Sequence, residues 1–144
     1  ISADRSTTAQ FGGKTGAYPF GIAVDANGNV YTANNGSDSV TRISADGSST
    51  TQFGGRTGSG PVGIAIDDNG NVYTSNGADN SVTRISADGK RTAQFGSSTG
   101  AGPGGIAIDD DGNILDEGLQ KVLEAFMTEF KEHVRRVLTV LPRD

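Results

Sequence analysis

The chain of 144 residues has no cysteine and no tryptophan, one histidine and one methionine. Without cysteine there is no disulfide framework and no thiolate metal site, and the redox compartment stays open on this criterion. His133 is the single imidazole. A metal site built on several histidines is therefore excluded, as is a Ser or Cys nucleophile served by a histidine base within residues 1–114. Glutamate is also missing from residues 1–114. No apolar run reaches the ~18 residues of a membrane span. Positive charge is scarce, with 12 Lys and Arg against 17 Asp and Glu and a net charge of −5. Phosphate binding needs a basic face, so this balance argues against nucleic acid. No cofactor is expected. The chain opens on Ile1 rather than Met, and is expected to be a processed product or an excerpt.

What is abundant is glycine, 22 residues, and repetition. Residues 1–42 and 43–84 agree at 28 of 42 positions, and a third copy over 85–114 agrees with the second at 21 of 30. A fixed period of this size signals a repeat architecture. Agreement this close reads most simply as recent amplification of one unit, natural or made.

Each copy breaks into four β-prone runs, in the first copy 21–25 (GIAVD), 29–33 (NVYTA), 39–45 (SVTRISA) and 50–53 (TTQF). β-Branched and aromatic residues concentrate there at strand lengths. Turn chemistry joins them: Asp25-Ala26-Asn27-Gly28, Asp67-Asp68-Asn69-Gly70, Asp46-Gly47 and Asp88-Gly89 set Gly where positive φ is needed. The Asn-Gly pairs at 27–28, 35–36, 69–70 and 76–77 are turn formers. Ile22 and Val24, like Ile64 and Ile66 and Ile106 and Ile108, alternate onto one strand face, and the Gly and Ala between them let the other face approach a neighbouring sheet. Four antiparallel strands every 40 to 45 residues is the period of a β-propeller blade.

The wording PxGIAxDxxGNVYxxxxxxNxVxRIxxDG resembles the NHL-type and streptogramin-lyase-like propeller repeats. It is carried by Pro61, Gly63–Ile66, Gly70–Tyr73, Asn80, Val82, Arg84 and Ile85, and in the first copy by Pro19, Gly21–Val24, Gly28–Tyr31 and Val40–Ile43, with Asp38 where Asn80 falls. The resemblance covers residues 1–114. It implies a propeller, leans toward an extracellular or periplasmic setting, and does not carry lyase activity over, because the expected His and Glu are missing there.

Asp accounts for every acid in residues 1–114 and sits mostly in hairpin turns, where it accepts backbone N–H bonds. Asp109-Asp110-Asp111-Gly112-Asn113 fails the EF-hand spacing, since Ala107 takes the first ligand position and no Glu stands at the twelfth. On a propeller a ligand would meet the loops between fourth and first strands and between second and third. Those hold Tyr18, Asn34, Asn35 and Asp38, then Asn76, Asp79 and Asn80. Amides beside a tyrosine suit a glycan or a peptide; the plainer account is turn capping.

Composition changes at Leu115, after which one glycine and all four glutamates fall. Leu119, Leu123, Phe126, Phe130, His133, Val137 and Val140 follow heptad spacing, widened by Val122, Met127, Val134 and Leu141. Asp116 can cap and Pro142 stop a helix over 117–141, which would be ~37 Å long. The expected architecture is mainly β: propeller repeats over 1–114 in a ring closed by oligomerisation, plus one amphipathic helix over 115–144. The expected role is a non-enzymatic self-assembling scaffold. Glycan or peptide binding is the alternative, and a lyase-type enzyme comes third. Four blades would need about 170 residues, so the partner is the chain itself. Two chains sharing a composite blade give a six-bladed ring, ranked ahead of three chains with two blades each.

Overall fold

The computed structural model describes residues 10–95, 102–109, 114–115 and 131. The start of the first copy, residues 1–9, and the helix with its stripe from Leu119 to Val140 lie outside the described residues. The chain divides into two compact units, Ile1–Ile114 and Leu115–Asp144.

Two four-stranded antiparallel sheets are present, each in simple sequence order. The first holds β1 (Pro19–Val24), β2 (Val30–Asn34), β3 (Ser39–Ile43) and β4 (Thr50–Phe53). The second holds β5 (Pro61–Ile66), β6 (Val72–Asn76), β7 (Ser81–Ile85) and β8 (Thr92–Phe95). The third copy contributes a two-stranded pair, β9 (Ala107–Ile108) and β10 (Ile114–Leu115).

Strand ends differ from the sequence reading for local reasons. The first strand begins at Pro19, where a missing N–H is harmless at the start of an edge strand, and a bulge separates Pro19 from Gly21. The second runs on to Asn34, which pairs with both Pro19 and Ser39. The third stops at Ile43 because Ser44 closes a turn, its carbonyl accepting from Gly47 N–H and its own N–H donating to Ser49 O. Gly28, Gly47, Gly70 and Gly89 take positive φ as expected. In the turn after β2, however, Asp38 (φ 47°) carries the left-handed residue, and Asn80 (φ 54°) does so after β6, rather than Gly36 or Gly77. Asp and Asn tolerate that conformation better than other residues with a β-carbon.

Register decides which side chains meet. Ala23 pairs with Tyr31, Ala33 with Val40, and Val40 with Phe53, so these residues share one face with Gly21. That face meets the opposite kind of face on the second sheet. Tyr31, Val40 and Phe53 form a core with Val72 and Ile85, and Ile64 and Ile66 pack against it. Tyr31 and Phe53 meet edge to face at 5.1 Å. Gly21 is necessary here: a β-carbon on it would stand 2.5 Å from the Val62 carbonyl oxygen.

A glycine-rich connection lies over the face of each sheet that carries Thr41 and Ile43, or Thr83 and Ile85. Gly13 N–H donates to Thr50 Oγ1 (2.7 Å) and Gly16 N–H to Thr41 Oγ1 (3.1 Å). Forty-two positions on, Gly55 donates to Thr92 (2.8 Å) and Gly58 to Thr83 (2.9 Å). The connections end at Tyr18 (φ 49°), Gly60 (φ 64°) and Gly102 (φ 62°). The left-handed region costs a residue with a β-carbon about 1–2 kcal/mol, of which glycine's extra freedom when unfolded takes back about 0.4–1. Tyr18→Gly should therefore raise stability by roughly 0.5–1 kcal/mol. Urea unfolding of the two chains measures this, and a lower midpoint for the variant would contradict it.

Candidate functional site

The residues that carry the repeat's wording form a latch at one end of each sheet. Asp25 Oδ1 accepts from the N–H groups of Asn27 (2.9 Å) and Asn29 (2.8 Å). Its Oδ2 accepts from Asn29 Nδ2 (2.8 Å) and the Tyr31 hydroxyl (3.2 Å). Asn29 Oδ1 then accepts from Ala45 N–H at 3.2 Å, tying the first turn to the third. The second copy repeats this with Asp67, Asn71, Tyr73 and Ala87. The Arg84 guanidinium stands 5.9 Å from the Tyr73 ring centre.

Burial pushes the Asp67 carboxyl up, but hydrogen bonds from Asn71, Tyr73 and Asn69 outweigh it and leave the group below the ordinary carboxylate range. Asp25 is lowered in the same way, burial being outweighed chiefly by Asn29. The exposed Asp46 falls to about 2, held by the Ser44 hydroxyl and then by the Ser48 N–H and hydroxyl. The Tyr31 and Tyr73 hydroxyls are raised, mainly by burial. The carboxylate shifts come from turn closure, and each has its partner within the same repeat.

The amides and acids read as a ligand face are engaged at the other end. Asn34 is fully buried. Its Oδ1 accepts from Thr32 Oγ1 (2.9 Å), and its Nδ2 donates to Ser39 Oγ (3.2 Å) and Thr41 Oγ1 (2.9 Å). Asn76 is likewise fully buried and bonded to Thr74, Ser81 and Thr83. Asp38 pairs with Arg56 at 2.8 Å and accepts from Gly60 N–H at 2.9 Å. Asn35 Nδ2 reaches Pro61 O at 3.5 Å. Asp79 accepts from Ser59 N–H, the Ser81 hydroxyl and Gln94 Nε2. Its carboxyl is raised by burial and lowered further by those bonds, ending below its ordinary value. Asn80 Oδ1 accepts from Gly102 N–H at 2.7 Å. Tyr18 differs from them, with its side chain 75% exposed beside the Asn35–Gly36 turn.

The threonines that satisfy the buried amides were not singled out from sequence, because the bonding partner lies up to seven residues away on the next strand. The apolar exposure of β1 was not foreseen either. Phe20, Ile22 and Val24 are 67%, 69% and 60% exposed, while their counterparts on β5 are partly buried. Among the described residues no helix is long and apolar enough to cross a membrane.

A carboxyl depressed in the fold contributes stability above its unfolded value, near 3.9, and that contribution is lost as pH falls through the folded value. Asp67→Asn leaves Tyr73 and Asn71 donors short of an acceptor, a loss of about 1–3 kcal/mol for each stranded buried donor. The variant should be clearly weaker than the parent at pH 7, and the gap should narrow as pH falls below about 4. Urea midpoints at pH 7 and pH 3 test this. An equal gap at both would show that the charge of Asp67 is not what matters.

No protein-family profile matches the chain, and no curated protein matches it. Solved structures do. A streptogramin B lyase matches with a TM-score of 0.56 at 20% identity, over 65% of this chain and 31% of that one. Virginiamycin B lyase from Staphylococcus aureus matches at 0.58 and 24%, over 68% and 33%. Hydrazine synthase from Kuenenia stuttgartiensis matches at 0.58 and 22%, over 75% and 30%. The chain spans about a third of the length of the structures it matches. At these identities the likeness concerns the fold alone: the chain resembles part of the β-propeller fold of these structures.

Proposed function

We propose that this propeller segment is a non-enzymatic repeat scaffold that assembles with copies of itself. One observation carries the reading. β1 bares Ile22 and Val24 on one face and Phe20 at its bulge, and Phe11 is 47% exposed nearby in sequence. In the second sheet Ile64 and Ile66 occupy the same repeat positions and pack against the core. Large apolar side chains exposed together on one strand mark an interaction site or an aggregation liability. Propeller rings take typically four to eight blades. Two chains sharing a composite third blade would close a ring of six, ahead of three chains with two blades each. The heptad stripe from Leu119 through Leu123, Phe126, Phe130, His133 and Val137 to Val140 would then gather the chains as a helical bundle.

Two other readings stand behind this one. Ligand binding is favoured by Tyr18 alone, a largely exposed aromatic ring held in a costly backbone conformation. A screen against glycans and peptides tests it. Enzyme chemistry ranks third. Two of the similar structures are lyases, but residues 1–114 here contain neither His nor Glu. Measurable lyase turnover by the pure chain would reverse the order.

Solution mass tests the leading reading. The chain should run at a multiple of 14.7 kDa. Replacing both Phe126 and Phe130 by Asp should lower that multiple or cause precipitation, since each large apolar side chain is worth roughly 1.5–3 kcal/mol when fully buried. An unchanged mass for the double variant would remove the helix from the assembly.

A further inference from the structure

The sheet-to-sheet contact inside this chain is a repeating joint, and among the described residues one half of that joint is left uncovered on the first sheet and the other on the third copy. In the used joint, the Gly and Ala positions of one strand face the Ile positions of the next repeat. A β-carbon on Gly21 would stand 2.5 Å from Val62 O and 3.1 Å from Ile64 Cγ2. One repeat later, a β-carbon on Gly63 would stand 3.1 Å from the Gly105 backbone. The next position in the series is Gly105 itself. A β-carbon there meets nothing within 4 Å, and Ala107 beside it is exposed. At the other end, the first Ile positions, Ile22 and Val24, have no covering strand among the described residues.

The approach to β1 is already laid out for a neighbour. Gly12 and Gly13 sit over Ile43 and Thr50 as Gly54 and Gly55 sit over Ile85 and Thr92; a β-carbon on Gly12 or on Gly54 would stand 2.5 Å from the isoleucine Cγ2 in both. The second of these connections leaves a completed sheet at Phe53, which is buried at 8% exposure. The first leaves from Phe11, which is 47% exposed.

We propose that β1 of one copy receives the open β9 face of a second copy, with Gly105 and Ala107 seated against Ile22 and Val24 as Gly21 is seated against Val62 and Ile64. This deepens the assembly reading and rests on it. The joint is head-to-tail: each copy offers a different surface at each end, so the contact closes into a ring where the rotation allows. A face-to-face pairing of two β1 strands is a different assembly, because it would leave the β9 face open. Gly105 must be small for the same reason as Gly21, since its neighbour's backbone and isoleucine fill the space of a β-carbon. The difference is that the neighbour of Gly105 is on another chain.

That difference supplies the test. Gly105 lies outside the positive-φ glycines and has open space among the described residues. Gly105→Ile should therefore keep the strand-rich circular dichroism of the parent while the solution mass falls to 14.7 kDa. Ile22→Asp should do the same from the other side. Mixing the two variants should restore a single joint, between the intact β9 of one and the intact β1 of the other, and yield a species of two chains. If Gly105→Ile unfolds, Ala107→Glu makes the same test at a second exposed position. A parent chain that is monomeric would overturn the assembly reading and this joint with it. A parent oligomer whose mass neither Gly105→Ile nor Ala107→Glu changes would overturn this joint alone. Mixed variants that both stay monomeric would rule out the head-to-tail geometry.

Discussion

Everything in the described part of this chain depends on how closely one four-stranded sheet can approach the next. At the inner strand the separation is set by Gly21, whose missing side chain admits the backbone of Val62 and the side chain of Ile64. With that approach made, the larger residues of the outer strands interdigitate: Tyr31, Val40 and Phe53 from one sheet, Val72 and Ile85 from the other. A larger residue at the inner strand would wedge the sheets apart and loosen every contact beyond it, because protein interiors are close-packed and forgive little added volume. The alternation of small and large along one strand is thus a geometric requirement of stacking sheets around an axis.

Polar satisfaction follows from the same geometry. Once a glycine-rich connection lies over each sheet, with Gly16 against Asn34 and Gly58 against Asn76, these amides are cut off from water, and an unsatisfied amide there would be costly. The neighbouring threonines and serines supply the partners, and the glycine-rich connections donate their own N–H groups into the same rows. At the opposite end of each sheet the Asp–Asn–Tyr latch holds two turns together. These networks engage the amides and acids that the sequence offers as a ligand face. Tyr18 has no such duty in its side chain, and it is also the position where the other copies have Gly60 and Gly102.

The repeat wording made the strand count, their order and most turn positions readable in advance. Asp25 through Gly28 and Asp67 through Gly70 were recognisable because a tight turn demands a residue of unusual φ at a known place. Strand ends were less readable. Ser44 looks like a strand residue by its neighbours, and its role in the turn to Ser49 depends on a bond five residues on. Asn34 and Asn76 are polar residues beside turn formers, which in sequence resembles a loop tip. Their burial comes from the neighbouring connection, which approaches only after the sheets have formed.

The sequence by itself determined the period, the blade-like unit and the absence of histidine and glutamate from the repeats, because these are properties of residue type and spacing. It also determined that Gly21, Gly63 and Gly105 are chemically equivalent. Only the tertiary structure decided that they are not physically equivalent. Gly21 and Gly63 are closed over by the next repeat, while among the described residues Gly105 is open and Ile22 and Val24 have no covering strand. Periodicity assigns every copy the same faces, but whether a face is covered depends on which strand lies next to it in space.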